Sequence, residues 1–322
     1  MNQQNSIAQL ATILIVVVAL WARAFILPVA MQPCTLFSPL YTPFYNLLGP
    51  HPQAASIAAL ILTIVEGVWI NVMLYNYKAI TNTSLWPMLI YIVSMSWMPG
   101  GLTMTPVLLV NLVVLAACRN LLSDGTSTLS FDRNFNASLC IGIASLIYLP
   151  ALALILPYIV VFNIYKMYRW RDIVVSLFGI AAPLIVFVTY AYLTDRLDEY
   201  IDSIVESISA ITLRKDFGSS ITTVTNAAFL IAFAALLIRQ ISTMNDKLIS
   251  TRINSAILAL PALAAIAMAL YGSVFPMDTQ LLAIPFSFLA ANYTTARHKR
   301  KWVAPALSCL FIALALVNVY AT

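Results

Sequence analysis

The sequence predicts an all-α protein, a polytopic transmembrane helix bundle of about eleven spans with several short broken hairpins and one outer amphipathic surface helix. The first observation behind this prediction is composition, because 61% of the 322 residues are hydrophobic and only 9% are charged, whereas soluble domains carry about a quarter charged residues. The second is the mean hydropathy of +0.90. The third is that apolar segments fill almost the whole chain, so residues 1–322 are predicted to form a single integral membrane domain.

Eleven apolar segments approach the ~20 residues that cross a ~30 Å hydrocarbon core. The first segment follows a start without basic residues and is longer than the apolar part of a cleavable signal, so we expect it to remain as the first helix. The predicted segments are residues 7–28, 55–77, 85–98, 104–120, 135–149, 151–165, 173–194, 220–239, 255–272, 279–295 and 302–320.

The distribution of basic residues predicts the orientation. With a cytoplasmic N-terminus, thirteen Lys and Arg residues fall in cytoplasmic connections and only three, Arg196, Arg214 and Lys215, fall on the outer side. Such a bias is the positive-inside signal. The chain is therefore predicted to be a multi-pass protein of the bacterial inner membrane, with a cytoplasmic N-terminus and a periplasmic C-terminus.

Three predicted hairpins are interrupted by proline, which removes a backbone donor and disfavours helix in the preceding residue. The breaks are Pro99-Gly100-Gly101, Pro150 with Pro157, and the segment 273–278. All three hairpins turn on the outer side, and several arms of about 14 to 18 residues would reach only ~21 to 27 Å. Two interpretations remain open: a depression that opens outward, or thinning of the bilayer around short helices.

The two longer outer connections have different patterns. Residues 28–54 contain six prolines and several aromatic residues, with His51 as their sole basic or acidic residue, which predicts a segment in the membrane interface. The aromatic residues are Phe37, Tyr41, Phe44 and Tyr45.

Residues 195–213 predict an amphipathic helix that lies flat on the outer surface. Its apolar residues recur at three- and four-residue spacing, while acidic residues occupy the other face. The apolar positions are Leu197, Ile201, Ile204, Ile208 and Ile211.

Glu66 is the main catalytic candidate, because it is the one acidic residue deep inside an apolar segment. Such a carboxylate suits a proton carrier, a general base or an anchor for a polar substrate group. The alternative is a buried carboxyl that is paired only to fix helix packing. Arg23, near the outer end of the first helix, is predicted to pair with Glu66 or to bind a phosphate; it could instead extend toward the outer headgroups.

A second set of candidates lies on the outer connections. Asp278, a second catalytic candidate, and the candidate substrate-binding residues Arg214, Lys215 and His51 could surround the mouth of the predicted depression. There they would hold a pyrophosphate or an acidic sugar. The alternative is that they cap helices and face water.

Several classes of site are excluded by missing motifs. The four cysteines and two histidines have no metal-binding spacing, and no Walker loop, dinucleotide fingerprint or nucleophile elbow is present. We therefore predict no metal and no cofactor. Because the basic residues sit at span ends, nucleic acid is excluded as a partner, and membrane lipids are expected instead.

Three runs of sequence carry a resemblance: SPLYTPFYN in the first outer connection, FDRNFNASLCIGIASLIYLP leading into YRWRDIVVSLFGIAAP, and AIPFSFLAANY before the last basic cluster. On these the chain resembles an uncharacterised family of polytopic inner-membrane proteins of Gram-negative bacteria, which implies the fold. In architecture it is also similar to membrane glycosyltransferases and polysaccharide polymerases that use polyprenyl-linked sugars. It departs from these enzymes because residues 29–54 contain no catalytic acid.

Two functions are predicted as alternatives. The first is an envelope enzyme, or a subunit of one, that acts on a polyprenyl- or lipid-linked saccharide at the outer leaflet. The second is a non-catalytic transporter or an assembly subunit that contacts other envelope proteins, with Glu66 in proton coupling or helix packing.

Overall fold

The computed structural model is helical throughout the part of the chain it describes, with no strand among those residues. This confirms the all-α prediction for that part. The described residues are 3–34, 36–77, 85–97, 99–123, 128–210, 220–243, 249–271, 277–295 and 303–321.

Each of the eleven predicted apolar segments contains at least part of an α-helix, and two further helices lie in the outer connections. The helices are α1 (Gln3–Ile26), α2 (Thr42–Leu48), α3 (Pro52–Asn76), α4 (Trp86–Ser96), α5 (Pro106–Leu121), α6 (Phe131–Ile147), α7 (Ile155–Tyr165), α8 (Trp170–Leu193), α9 (Leu197–Ala210), α10 (Ser220–Thr243), α11 (Ile249–Ala259), α12 (Pro261–Tyr271), α13 (Ala283–Thr295) and α14 (Val303–Ala321).

Four helical stretches of the described chain are long and apolar enough to cross a membrane, namely 9–26, 52–76, 170–193 and 249–268. The other apolar stretches that could be assessed in the described residues have 10 to 17 residues, so helix length supports four spans in the described part of the chain rather than the eleven predicted. Proline-linked breaks explain the shortness, since several arms end in 3₁₀ turns before they reach full length. The apolar helices are compatible with a membrane protein.

Three 3₁₀ turns divide the predicted hairpins: the first turn at Pro99–Leu102, the second at Leu149–Leu154 and the third at Met277–Leu282. The first two turns fall at the predicted breaks, and the third overlaps the predicted break 273–278 at residues 277 and 278, while residues 273–276 lie outside the described residues. Pro157 does not break the chain. It lies in the first turn of α7, where the proline does not remove an intrahelical hydrogen bond.

The first outer connection packs against the first and second turns, at one end of the bundle that we call the turn end. The Leu149 amide donates to the Phe37 carbonyl oxygen at 3.2 Å, and the Tyr41 hydroxyl donates to the Met104 carbonyl oxygen at 3.2 Å. Phe37 and Tyr41 are therefore buried in the protein, whereas the sequence predicted that they sit in the membrane interface. Burial also raises the pKa of Tyr41 above its usual range, so its phenol remains a neutral donor.

The opposite end, which we call the basic end, joins the C-terminal ends of α5 and α7 to the middle of α11. The Ser123 amide donates to Asn254 Oδ1 at 2.7 Å, and Asn254 Nδ2 donates back to the Ser123 carbonyl oxygen at 3.0 Å. The Tyr165 hydroxyl donates to the Leu121 carbonyl oxygen at 2.5 Å. These contacts hold α5, α7 and α11 together at the end of the bundle opposite the turns.

The amphipathic helix α9 is present and lies at the turn end. The Phe37 amide donates to Ser207 Oγ at 2.7 Å, and Tyr200 packs edge-on against Phe37. Ile201 and Ile208, two positions of the predicted apolar face, are 48% and 59% exposed. This face is therefore available to membrane lipid, while the Tyr200 and Ser207 side of α9 holds the helix to the protein.

Candidate functional site

Glu66 lies in the middle of α3 with its side chain completely buried. The Tyr91 hydroxyl of α4 donates a hydrogen bond to Glu66 Oε2 at 2.7 Å. Within the described part of the chain, Glu66 Oε1 has no hydrogen-bond partner. The partner of the carboxyl group is thus Tyr91, and Arg23 makes no described ion pair with it.

The contact between Glu66 and Tyr91 belongs to a larger set of buried polar residues from α3, α4, α5 and the third turn. Asn111 lies beside the Tyr91 hydroxyl, and its Nδ2 donates to the Gln280 carbonyl oxygen at 3.4 Å. Thr105 Oγ1, which also caps the start of α5, donates to Gln280 Oε1 at 2.9 Å. We call Glu66, Tyr91, Asn111, Gln280 and Thr105 the buried polar cluster.

The buried polar cluster has hydrogen-bonding capacity that its described members do not use. Asn111 Oδ1 and Gln280 Nε2, like Glu66 Oε1, have no partner among the described residues. Buried polar groups are nearly always paired, so each such atom needs a reason. The carboxyl group can carry a proton, and each unused amide atom can bond a water molecule or another polar group.

The other predicted site residues do not join the buried polar cluster in the described part of the chain. Arg23 is partly exposed near the end of α1, and His51 is exposed just before α3. The backbone of Asp278 lies in the third turn, but its side chain is outside the described residues, as are Arg214 and Lys215. Their predicted roles therefore remain predictions.

A cavity of about 1030 Å³ opens at the turn end, between the first outer connection, α6, α8 and α9. Its deeper wall is apolar and comes from α6 and α8. The residues of this wall are Leu139, Ile143, Leu146, Ala182, Pro183 and Val186. We call this space the turn-end cavity.

The rim of the turn-end cavity is aromatic and polar. The rings of Phe37, Phe187 and Tyr200 contact one another edge-on, with centroids 5.0 to 6.3 Å apart. Arg196 donates two hydrogen bonds to the Glu199 carboxylate, at 2.8 and 2.9 Å, and lies over the Tyr200 ring. These hydrogen bonds lower the pKa of Glu199, so both charges are present at neutral pH.

Two glycines position the apolar wall by letting α6 and α8 approach closely. A Cβ on Gly179 would lie 1.9 Å from Ser138 Oγ, and a Cβ on Gly142 would lie 2.5 Å from the Ile180 carbonyl oxygen. Small residues at a helix crossing allow such backbone proximity. Pro183 lines the cavity beside this crossing, and its ring nitrogen cannot donate to the Gly179 carbonyl.

Glu66 is not among the residues that line the turn-end cavity. The cavity instead presents Arg196, which the sequence interpretation counted only among the outer basic residues, and Glu199, which it placed on the acidic face of α9. Their three-residue spacing was a usable signal for an ion pair. No protein-family model, curated protein or solved structure matches this chain.

Proposed function

We propose that this chain is a multi-pass protein of the bacterial inner membrane that binds a lipid-linked saccharide at the outer leaflet, as an enzyme or enzyme subunit of envelope glycan assembly. The observation that carries the proposal is the turn-end cavity, with its apolar wall and its charged, aromatic rim. A pocket that is mainly apolar with a few placed polar groups is the usual form of a ligand site.

The two parts of the cavity suit the two parts of such a ligand. The wall formed by α6 and α8 would accept a polyprenyl chain that enters from the bilayer. At the rim, Arg196 suits a phosphate, because a guanidinium binds phosphate oxygens with two parallel hydrogen bonds. Tyr200 offers an aromatic face to a sugar ring, and Glu199 and Ser203 offer groups that bind sugar hydroxyls.

Under the predicted topology, the turn-end cavity would face the periplasm, which is the side of the outer leaflet. The first connection, the first two turns and α9 share the turn end, while the positive-inside bias assigns that end to the periplasm. α5 and α7 each run from the turn end to the basic end, which supports a span number above the four long helices. We retain about eleven spans, with the N-terminus in the cytoplasm, as the proposed topology.

We propose ligand binding at the turn-end cavity. We assign no chemical step to its residues. Glu199 is the carboxylate that the described part of the cavity provides, and it is paired with Arg196. The catalytic roles of Glu66 and Asp278, and the two resemblances stated from the sequence, remain predictions.

Binding can be tested with the purified protein in lipid nanodiscs and a short-chain polyprenyl pyrophosphate sugar as the probe. We expect Arg196→Ala and Tyr200→Ala each to weaken binding about tenfold or more. Arg169→Ala, which removes an exposed arginine at the start of α8, should bind like the unchanged protein. Equal binding by all four proteins would refute the proposed site.

A second candidate function is a proton-coupled carrier or an assembly subunit, and the buried polar cluster favours it. Ionisable groups at membrane depth often mark proton pathways. In that case Glu66→Gln should abolish pH-dependent uptake in proteoliposomes and leave the envelope glycans unchanged. Altered glycans without a transport defect would support the saccharide function instead.

A further inference from the structure

Two adjoining cavities lie away from the turn end, between α10, α13 and α14. The larger has a volume of about 410 Å³ and an almost entirely apolar lining, to which Ala232, Phe286 and Phe311 contribute. A smaller cavity of about 130 Å³ adjoins it and shares Arg239 and Tyr293 with it. We call the two together the lateral pocket.

The smaller part of the lateral pocket provides donors for an anion. The Arg239 guanidinium lies 4.2 Å from the centroid of the Tyr293 ring, and it has no ion pair within the described part of the chain. Gln240 is 8% exposed, and its Oε1 accepts a hydrogen bond from Asn292 Nδ2 at 2.7 Å. This contact fixes the amide, and Gln240 Nε2 has no partner among the described residues.

A buried amide donor and a guanidinium without an ion pair among the described residues therefore border one small space, and an apolar cavity continues from it. Leaving a buried donor unpaired is unfavourable, and an acceptor from a ligand would offset that cost. The guanidinium favours an anionic acceptor with several oxygens. Together these features describe a site for a molecule with an anionic head and an apolar chain.

We propose that the lateral pocket binds an anionic phospholipid of the bilayer, with its phosphate at Arg239 and Gln240 Nε2 and one acyl chain in the larger cavity. The neighbouring α10 residues Ile231 and Ile238 are 70% and 68% exposed. Such a surface faces lipid in a membrane, so an acyl chain can enter from the side. Basic pockets between transmembrane helices on the cytoplasmic side bind such headgroups, and Arg239 lies near the C-terminus of α10, toward the predicted cytoplasmic side.

This site is independent of the proposed saccharide function, because it shares no lining residue with the turn-end cavity. The bound lipid would link α10, α13 and α14. Because a ligand that binds only the folded state stabilises it, an anionic phospholipid should raise the unfolding temperature of the purified protein.

The test compares phosphatidylglycerol with phosphatidylcholine of the same acyl chains, by native mass spectrometry and thermal unfolding of the delipidated protein. We expect phosphatidylglycerol to bind at least tenfold more tightly and to give the larger thermal shift. Arg239→Leu should remove this preference, and Gln240→Leu should weaken phosphatidylglycerol binding several-fold. Arg169→Leu is the matched control and should retain the preference.

Two further variants keep the test decisive if Arg239→Leu does not fold. Arg239→Lys keeps the charge but loses the two-pronged donor, so it should bind phosphatidylglycerol with intermediate affinity. Ala232→Phe should fill the apolar cavity and reduce binding of both lipids. Equal binding of the two phospholipids, unchanged binding by the Arg239 and Gln240 variants, or displacement of phosphatidylglycerol by equimolar palmitate would overturn the proposal.

Discussion

Tyr91→Phe should destabilise the protein by about 1–2 kcal/mol. The change removes the one described hydrogen bond of the Glu66 carboxyl group and leaves both carboxyl oxygens without a described partner. Orphaning a buried polar group costs about 1–3 kcal/mol, whereas hydrogen bonds between membrane helices average about 0.6 kcal/mol with a maximum near 1.7. Because α4 is buried along nearly all of its length, the upper part of the membrane range applies.

Glu66→Leu provides the matched comparison, and its cost should be smaller. It removes the acceptor rather than the donor, and the Tyr91 hydroxyl remains close to the Asn111 side chain, another polar group. The double variant, which combines Tyr91→Phe with Glu66→Leu, has no buried carboxyl group at position 66 to leave unpaired. The destabilisation should therefore fall below the sum of the two single effects.

The assay is equilibrium unfolding of the four purified proteins in one detergent, with activity-independent detection of helix content. A coupling free energy of about 1 kcal/mol between Tyr91 and Glu66 would support the assigned contact. If the single effects add within about 0.3 kcal/mol, the contact between Glu66 and Tyr91 does not stabilise the fold.

Three other predictions follow from the helix crossing, the topology and the exposed ion pair. Gly179→Ala should destabilise the protein by about 1–3 kcal/mol in the same unfolding assay, because the added Cβ meets α6 atoms, including a backbone oxygen, at 1.9 to 2.9 Å. After the native cysteines are replaced, an impermeant thiol reagent should label Ser209→Cys but not Lys166→Cys in intact cells; the reverse pattern would overturn the orientation. The lowered pKa of Glu199 means that its pairing with Arg196 persists at neutral pH. That contribution is complete above the usual glutamate pKa of 4.5 and is lost as pH falls through the lowered pKa of Glu199; Arg196→Ala should therefore raise the pH at which Glu199 protonates, measured by carboxyl NMR, and an unchanged midpoint would count against the pairing.

The sequence was sufficient to predict the all-α fold, because long apolar segments with few charges are typical of helices in a lipid environment. It also located the three breaks, since proline acts through local backbone chemistry. It did not predict the burial of Phe37 and Tyr41. Their partners, Ser207 and Met104, are distant in sequence, and a local pattern cannot show that a connection folds back onto the bundle.

The candidate site was predicted only in part. Glu66 stood out because a carboxylate in an apolar segment is rare, but its partner Tyr91 is one of fifteen tyrosines and carries no pattern of its own. The turn-end cavity depends on how α6 and α8 cross at Gly179 and on where α9 returns to the first connection. Such packing depends on contacts between distant segments, which explains why Arg196 and Glu199 were not chosen from the sequence.

The most direct test of the proposed function is a structure of the protein extracted with its native lipids and determined by electron microscopy. The account predicts elongated density in the turn-end cavity, with a chain along the wall formed by α6 and α8 and a headgroup beside Arg196 and Tyr200. A turn-end cavity that contains no such density, or one closed because α9 packs against the α6 wall, would contradict it.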